Sequence, residues 1–282
     1  MSLLSSTEPL DYLAVGHITR DLTPSGARIG GTVTYAALTA QALGLRAGIL
    51  TSWGEDVELD SLSSVPIVNV LTESSTTFRN IETSIGRQQT ISNVASNLEY
   101  HHLPDQWKNA TIVHLGPIAG EIDPSMIQNF SAALIGSTPQ GWLREWDENG
   151  VVSSRDWQEA AQILEKIGAA VISLEDIGGN ELRIEEMAAA CPVLAVTEGK
   201  SGVRLYWNGD VRRFRPPEVK LLDTTGAGDI FAAAFFTRLY TTRDPWEAAR
   251  FATALSAFSV TREGLESIPT QGEIRESMIE VY

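Results

Sequence analysis

Six short apolar runs, spaced by helix-like stretches, restrict what this 282-residue chain can fold into more than any other feature. DYLAVG (11–16), LRAGILTSWG (45–54), TIVHLG (111–116), SAALIG (131–136), AAVISL (169–174) and PVLAVT (192–197) read as strands. Between them TVTYAALTAQALG (32–44) predicts a helix ending at Gly44, and helical patterns follow near 123–130, 156–167 and 179–190. A strand that is apolar along its whole length has to be covered on both faces. The expected fold is therefore α/β, a doubly wound and mostly parallel sheet with helices on either side.

Residues 65–93 break that rhythm. VPIVNVL, STTFRNIETS and GRQQTISNV are strand-like pieces with polar alternation and no helix between them. They fit a small antiparallel sheet inserted as a lid, or an edge extension of the main sheet. VRLYWNGDVRRF (203–214) predicts a hairpin turning at Asn208-Gly209. With no internal repeat or linker, 1–282 is expected to be one domain, with 65–93 as its small β lid.

Composition narrows the function classes. The formal net charge of −15 argues against a nucleic-acid partner, which needs a cationic face, and against an anionic membrane surface. A few backbone amides and a helix dipole can still hold a nucleotide phosphate. Cys191 is the single cysteine, so no internal disulfide forms, and the four histidines (17, 101, 102, 114) show no metal-ligand spacing. MSLLSSTEPL at the N-terminus lacks the basic and apolar regions of a secretion signal. A soluble, cytoplasmic protein is expected.

Chemistry concentrates in LLDTTGAGDIFAAAFFTRL (221–239), read as a strand end, a Gly-rich turn and a helix of small residues. As a dinucleotide fingerprint it has Phe231 where a third small residue belongs, and as a P-loop it lacks the Gly-Lys-Ser/Thr ending. In a third reading Thr225 caps the helix. The amides of Gly226, Ala227 and Gly228 then form an anion hole at the positive end of its dipole. Asp229, on the first turn, is placed to take a proton from an attacking hydroxyl. The same residues also suit a plain strand-to-helix turn with a capping aspartate.

DTTGAGDIF resembles the C-terminal signature of the ribokinase-like (PfkB) carbohydrate kinases. FATALSAFSVTREGLESIP (251–269), VGHITRDL (15–22) and GGTVTYAALTAQALG (30–44) resemble that family's closing helix and purine-pocket loop and its N-terminal substrate motifs. The resemblance implies a kinase that uses ATP and Mg²⁺ to phosphorylate an alcohol group of a small sugar or cyclitol, with Asp229 as base. It places Thr253 and Ser256 at the nucleotide. Thr197, Gly199 and Gly202 of TEGKSGV match the family's phosphate-contacting turn, with Lys200 adding charge. The segment is not a P-loop, since Leu194 stands where the first glycine should.

Ser173 and Asp176 of SLED stand where relatives carry Asn-x-x-Glu, so Asp176 or Glu175 is left to organise Mg²⁺ through water. A solvated, acidic helix start is the other reading. Asp21 matches the family's sugar-binding aspartate, and Gly30-Gly31 allows close backbone approach to a sugar. Tyr35 replaces a usual asparagine and offers a stacking surface. Gln140 and Arg144 of STPQGWLREWD are further substrate candidates, while Trp142 and Trp146 suit packing equally well. A monovalent cation such as K⁺ is implied near Asp223, Thr225 and Ser267.

Asp21 and Gly30 are only nine positions apart, where typical relatives insert a hairpin, so the lid is expected to rest on 65–93. Such trimming is more similar to the myo-inositol kinase-like branch. Two alternatives stay open, a nucleoside kinase of the same fold and a non-catalytic sugar- or nucleotide-sensing relative. The expected assembly is a monomer or homodimer.

Overall fold

A computed structural model describes residues 8–279 apart from 25, 55, 57, 84 and 85. The first seven residues of the N-terminal stretch read above for a signal, and positions 84–85 of the 65–93 segment, lie outside the described residues. In chain order come β1 (Tyr12–Val15), β2 (Thr19–Thr23), β3 (Gly26–Gly30), α1 (Thr32–Ala42), β4 (Ala47–Thr51) and β5 (Ile67–Asn69). Then follow β6 (Thr76–Thr83), β7 (Gly86–Asn93), β8 (Ile112–Leu115), β9 (Leu134–Ser137), β10 (Arg144–Trp146) and β11 (Val152–Ser154). The rest are α2 (Ala160–Leu164), β12 (Ala169–Ser173), α3 (Glu181–Ala190), β13 (Val193–Thr197), β14 (Val203–Trp207), β15 (Asp210–Phe214), α4 (Ala227–Thr242), α5 (Pro245–Ser259) and α6 (Gln271–Ser277).

The main sheet runs β15-β14-β13-β12-β9-β8-β1-β4-β5. It is parallel from β13 to β5, and the β14–β15 hairpin is added antiparallel at one edge. β1 pairs with β8 on one side and β4 on the other, so Val15 sits between Leu115 and Leu50. The order reverses there, which leaves a crevice beyond the strand ends where ligands bind in such folds. Alternation along the strands feeds two cores. Tyr12 and Ala14 face α1, α4 and α5, whereas Leu13 and Val15 face Trp107, Trp142 and the α3 side.

α4 is buried almost throughout, and its Ala232, Ala233 and Ala234 pack with Ala248, Ala249 and Ala252 of α5. Small side chains let the two backbones approach closely, and a helix buried all round needs no polar face.

Several expectations are corrected. Ile67–Asn69, expected in the inserted sheet, extends the edge of the main sheet beside β4. The separate four-stranded sheet has the order β3-β2-β6-β7, so half of it is the 19–30 hairpin. The two five-residue strands, β2 and β3, pair from Thr19 with Gly30 to Thr23 with Gly26, so Asp21 lies inside the hairpin and the short spacing to Gly30 hid it. Position 123–130 is a 3₁₀ turn, Pro124–Asn129, closed by the Asp123 side chain accepting from the Ser125 amide. The α-helix expected over 156–167 shortens to Ala160–Leu164. No strand precedes the Gly-rich turn; residues 215–224 are irregular.

His17 joins the two sheets. Its ring meets the Thr76 hydroxyl at 2.7 Å and the Ser96 carbonyl at 2.9 Å, while its amide donates to buried Glu121 at 2.9 Å.

Candidate active site

A cleft of about 1420 Å³ lies between the small sheet and the C-terminal ends of the parallel strands. Asp21, Phe78, Asn80 and Gln89 line it from the small sheet, and the starts of α1 and α4 line its middle. The turn from Thr197 to Gly202, with Thr253 and Ser256 of α5, lines the far end.

The start of α4 differs from the expected cap. Gly226, not Thr225, is the cap residue. Its φ of 77° is left-handed, and no side chain caps the helix. A Cβ on Gly226 would overlap the Tyr35 ring, so glycine is required on two counts. Tyr35 is only 2% exposed, and its ring supports this turn as well as touching the cleft. Burial, then Asp229, Asp21 and Asp223, push its hydroxyl up. The Thr225 amide donates to Asp223 Oδ1 at 2.9 Å and the Gly264 amide to Oδ2 at 3.2 Å, tying the turn to the 264–267 loop.

Of the three expected anion-hole amides, that of Ala227 donates to the Thr224 carbonyl at 3.2 Å. The Gly228 and Asp229 amides precede the first α4 hydrogen bond, from Ile230 to the Gly226 carbonyl at 2.9 Å. These two N–H groups stand at the positive end of the helix. A Cβ on Gly228 would point into open space. Asp229 lines the cleft beside them, partly exposed. Burial raises its carboxyl to about 6, opposed by a side-chain hydrogen bond from Thr32, raised further by Asp176, lowered by Arg144 and raised by Asp21. A carboxyl so placed is mostly ionised at neutral pH yet basic enough to accept a proton. Thr32, 2% exposed in the first turn of α1, was missed from sequence, although a hydroxyl directly after Gly30-Gly31 was a signal.

The substrate candidates divide. Asp21 sits on β2, and its Oδ1 accepts from the Thr19 hydroxyl at 2.9 Å. A Cβ on Gly30 would overlap the Asp21 carboxylate, so this glycine makes room for Asp21 rather than for a ligand. Gly31 (φ 91°) packs on the His17 carbonyl and does line the cleft. Gln140 and Arg144, expected at the substrate, line the cleft and both meet Asp176. Gln140 Nε2 donates to Asp176 Oδ1 at 2.8 Å and Arg144 Nη2 lies 3.5 Å from the same oxygen. Neighbouring Trp142 is core: its indole N–H donates to the Ile122 carbonyl at 2.8 Å and it packs on Trp157. Asn80 and Gln89, joined at 2.8 Å, were not singled out from sequence; polar alternation on β6 and β7 was the available sign.

At the far end, the Thr197 hydroxyl donates to the Ile172 carbonyl at 3.3 Å. Gly199 and Gly202 are left-handed, and a Cβ on Gly202 would overlap the Phe214 carbonyl. Lys200 is exposed between them. Pro216, Val219, Leu221, Ala257 and Val260 make this end apolar. Thr253 is 3% exposed and its hydroxyl, at the cleft lining, finds no partner among the described residues. The Ser256 hydroxyl donates to the Thr253 carbonyl at 3.3 Å.

Glu175 and Asp176 are adjacent oxygen donors at the cleft, Glu175 exposed and Asp176 Oδ2 accepting from the Ser173 amide at 3.3 Å. That pair fits a hydrated Mg²⁺, which takes one or two carboxylates and keeps its waters. The monovalent-cation set fits less well. Both Asp223 oxygens accept amides, and the Ser267 carbonyl faces the Arg262 guanidinium at 3.5 Å, which would repel an ion there.

The family model for the pfkB family carbohydrate kinases matches residues 150–271. A ribokinase of Bacillus subtilis (strain 168) is 42% identical over 99 residues, 34% of this chain and 33% of that protein. An inositol 3-kinase of Zea mays is 29% identical over 154 residues, 52% of this chain and 39% of that protein. The chain thus spans less than two thirds of the length of these curated relatives. A pyrophosphate-dependent kinase of the ribokinase family, solved with a pyrophosphate analogue and myo-inositol, has the same fold. The TM-score is 0.78 at 21% identity over 94% of this chain and 99% of that one. Its likeness concerns architecture alone, while the segment from 150 to 271 matches the family in sequence. Residues 150–271 thus match the pfkB family carbohydrate kinase model, and the chain has a ribokinase-like fold.

Proposed function

We propose that this chain is a carbohydrate kinase that transfers the terminal phosphoryl group of ATP to an alcohol group of a small sugar or cyclitol. One observation carries the reading. Asp229, raised to about 6, stands at the start of α4 in a cleft that has Asp21 on one side and the Thr197–Gly202 turn on the other. The acceptor hydroxyl would lie against Asp229, which takes its proton as the oxygen attacks. Asp21 would accept hydrogen bonds from neighbouring hydroxyls, and the Gly228 and Asp229 amides would hold the charge that grows on the moving phosphoryl group.

The unpartnered Thr253 hydroxyl and the apolar lining around Val219 and Ala257 favour a donor bearing a purine over pyrophosphate alone. Glu175 and Asp176 would hold Mg²⁺ through its waters, and the ion supplies charge neutralisation across the donor phosphates. The β3-β2-β6-β7 sheet acts as a lid, contributing Asp21, Asn80 and Gln89 to the acceptor side. A cyclitol acceptor is supported by the inositol 3-kinase among the relatives and the myo-inositol in the solved neighbour.

The test is a panel of sugars, cyclitols and nucleosides incubated with ATP or with pyrophosphate, with products identified by phosphorus NMR. An ATP-dependent sugar or cyclitol phosphate is expected. A phosphorylated nucleoside would move the assignment to a nucleoside kinase, and no transfer with any acceptor would overturn it.

A further inference from the structure

We propose that Glu198 and Arg204 are positioning residues that hold the Thr197–Gly202 turn in the shape that receives the donor phosphates; this rests on the kinase reading above. Gly199 (φ 54°) and Gly202 (φ 91°) are both left-handed, and glycine leaves a turn more freedom than any other residue. The Glu198 amide donates to the Gly202 carbonyl at 2.8 Å and the Gly202 amide to the Gly199 carbonyl at 3.0 Å. Those bonds close the loop between β13 and β14, and the Glu198 side chain ties it to α3 and β15. Although it lines the cleft, that side chain is only 8% exposed. Its Oε1 packs on Arg204 Nε, and its Oε2 accepts from Arg213 Nη1 at 2.8 Å. Arg204 is buried in turn and forked on Glu181 at the start of α3, with Nη1 2.7 Å from Oε2 and Nη2 2.9 Å from Oε1. Nη1 also donates to the Tyr206 hydroxyl at 3.1 Å.

Each nitrogen of the Arg204 guanidinium therefore meets an oxygen of the protein, which makes it a strut for the turn and not a ligand for phosphate. A buried ion pair gains little stability over an apolar pair of the same size, and its better-attested use is to specify one geometry. Removing one partner leaves an uncompensated charge, so the arrangement resists local rearrangement. Charge supports the same role. Six carboxylates line the cleft among the described residues, those of Asp21, Glu175, Asp176, Glu198, Glu218 and Asp229. A polyphosphate is repelled by each of them that stays uncompensated. Glu198 is the one inside the turn, and Arg204 and Arg213 offset it there. The turn can thus carry a carboxylate as its anchor and still present Thr197 and Lys200 to an anionic donor.

The experiment is calorimetric titration of wild type, Glu198→Gln, Glu198→Ala and Arg204→Lys with AMP-PNP and with imidodiphosphate, in the absence of acceptor, beside thermal denaturation of each protein. Glu198→Ala should weaken whichever of the two wild type binds by about 10- to 100-fold, the range for one charged hydrogen bond that the displaced turn no longer makes. Glu198→Gln keeps the shape and an oxygen for Arg204 and Arg213, so it guards against a folding failure, and it should recover part of the loss. Arg204→Lys keeps the charge but gives up the fork on Glu181, and it should weaken the same ligand. KM for the acceptor found by the panel above should be unchanged in all three variants. A lowered Tm with unchanged donor affinity makes the network structural only and overturns the proposal. Tighter donor binding in Glu198→Ala also overturns it, since the carboxylate would then act only by repelling phosphate. Both results leave the kinase reading intact, whereas wild type that binds neither ligand overturns that reading and the proposal together.

Discussion

Replacing Asp229 by asparagine should make the protein more stable while it destroys turnover. Asparagine has the same shape, can still accept the Thr32 hydroxyl, and carries no charge. The aspartate is raised from 3.8 to about 6, first by burial. A group raised in this way costs folding free energy when ionised, because the unfolded chain gives up its proton more readily. The gap is worth about 3 kcal/mol at neutral pH. The cost is fully present above pH 6. It fades as pH falls toward 3.8 and is absent below it, where both states hold the proton. At roughly 2–4 °C per kcal/mol for a domain of this size, Asp229→Asn should raise Tm at pH 8 by several degrees. The gain should shrink steadily at pH 6, 5 and 4. Thermal denaturation of both proteins across that series, beside steady-state kcat, is the assay. Loss of a general base lowers kcat by about 10²–10⁴-fold. A variant no more stable than wild type at pH 8, or a gain that survives undiminished at pH 4, would refute the reasoning that burial of Asp229 sets its basicity.

The same carboxyl should impose an acid limb on kcat/KM with a midpoint near 6, and Thr32→Val should move that limb upward by removing a bond that favours the ionised form; a pH–rate profile of each protein checks this. Asp21→Ala should raise KM for the acceptor about ten- to a hundred-fold and leave nucleotide affinity unchanged by calorimetry; equal affinities for acceptor in both proteins would contradict the substrate role. Gly228→Val should abolish most activity with little change in Tm, since its Cβ enters open cleft, whereas Gly226→Val should lower Tm sharply against Tyr35; reversed effects would assign the two glycines the opposite roles.

Much of the scaffold was legible because it is local. Fully apolar strands such as Leu13–Val15 and Leu194–Val196 mark a sheet covered on both faces, and the small residues of 232–234 mark a helix buried on every side. The helix start with Asp229 on its first turn was readable for the same reason, although its cap was expected at Thr225 and is Gly226. The hairpin at 203–214 formed at Asn208-Gly209 as its turn residues require.

What sequence could not show depends on partners far along the chain. β2 joins β6, more than fifty residues later, and nothing in either strand's own pattern names the other. The short hairpin from Thr19 to Gly30 could not be told from a plain loop until β6 paired with β2. Gln140 and Asp176 meet across 36 positions, so residues assigned separately to sugar and metal turned out to share one carboxylate. The basicity of Asp229 is the clearest case. The amino acid and its place on the helix were written in the sequence, but its proton affinity was set by desolvation and by Thr32, Asp176, Arg144 and Asp21, brought around it by tertiary packing. Local order follows from neighbours in the chain, whereas electrostatic environment follows from distance in space, and only the folded structure fixes that.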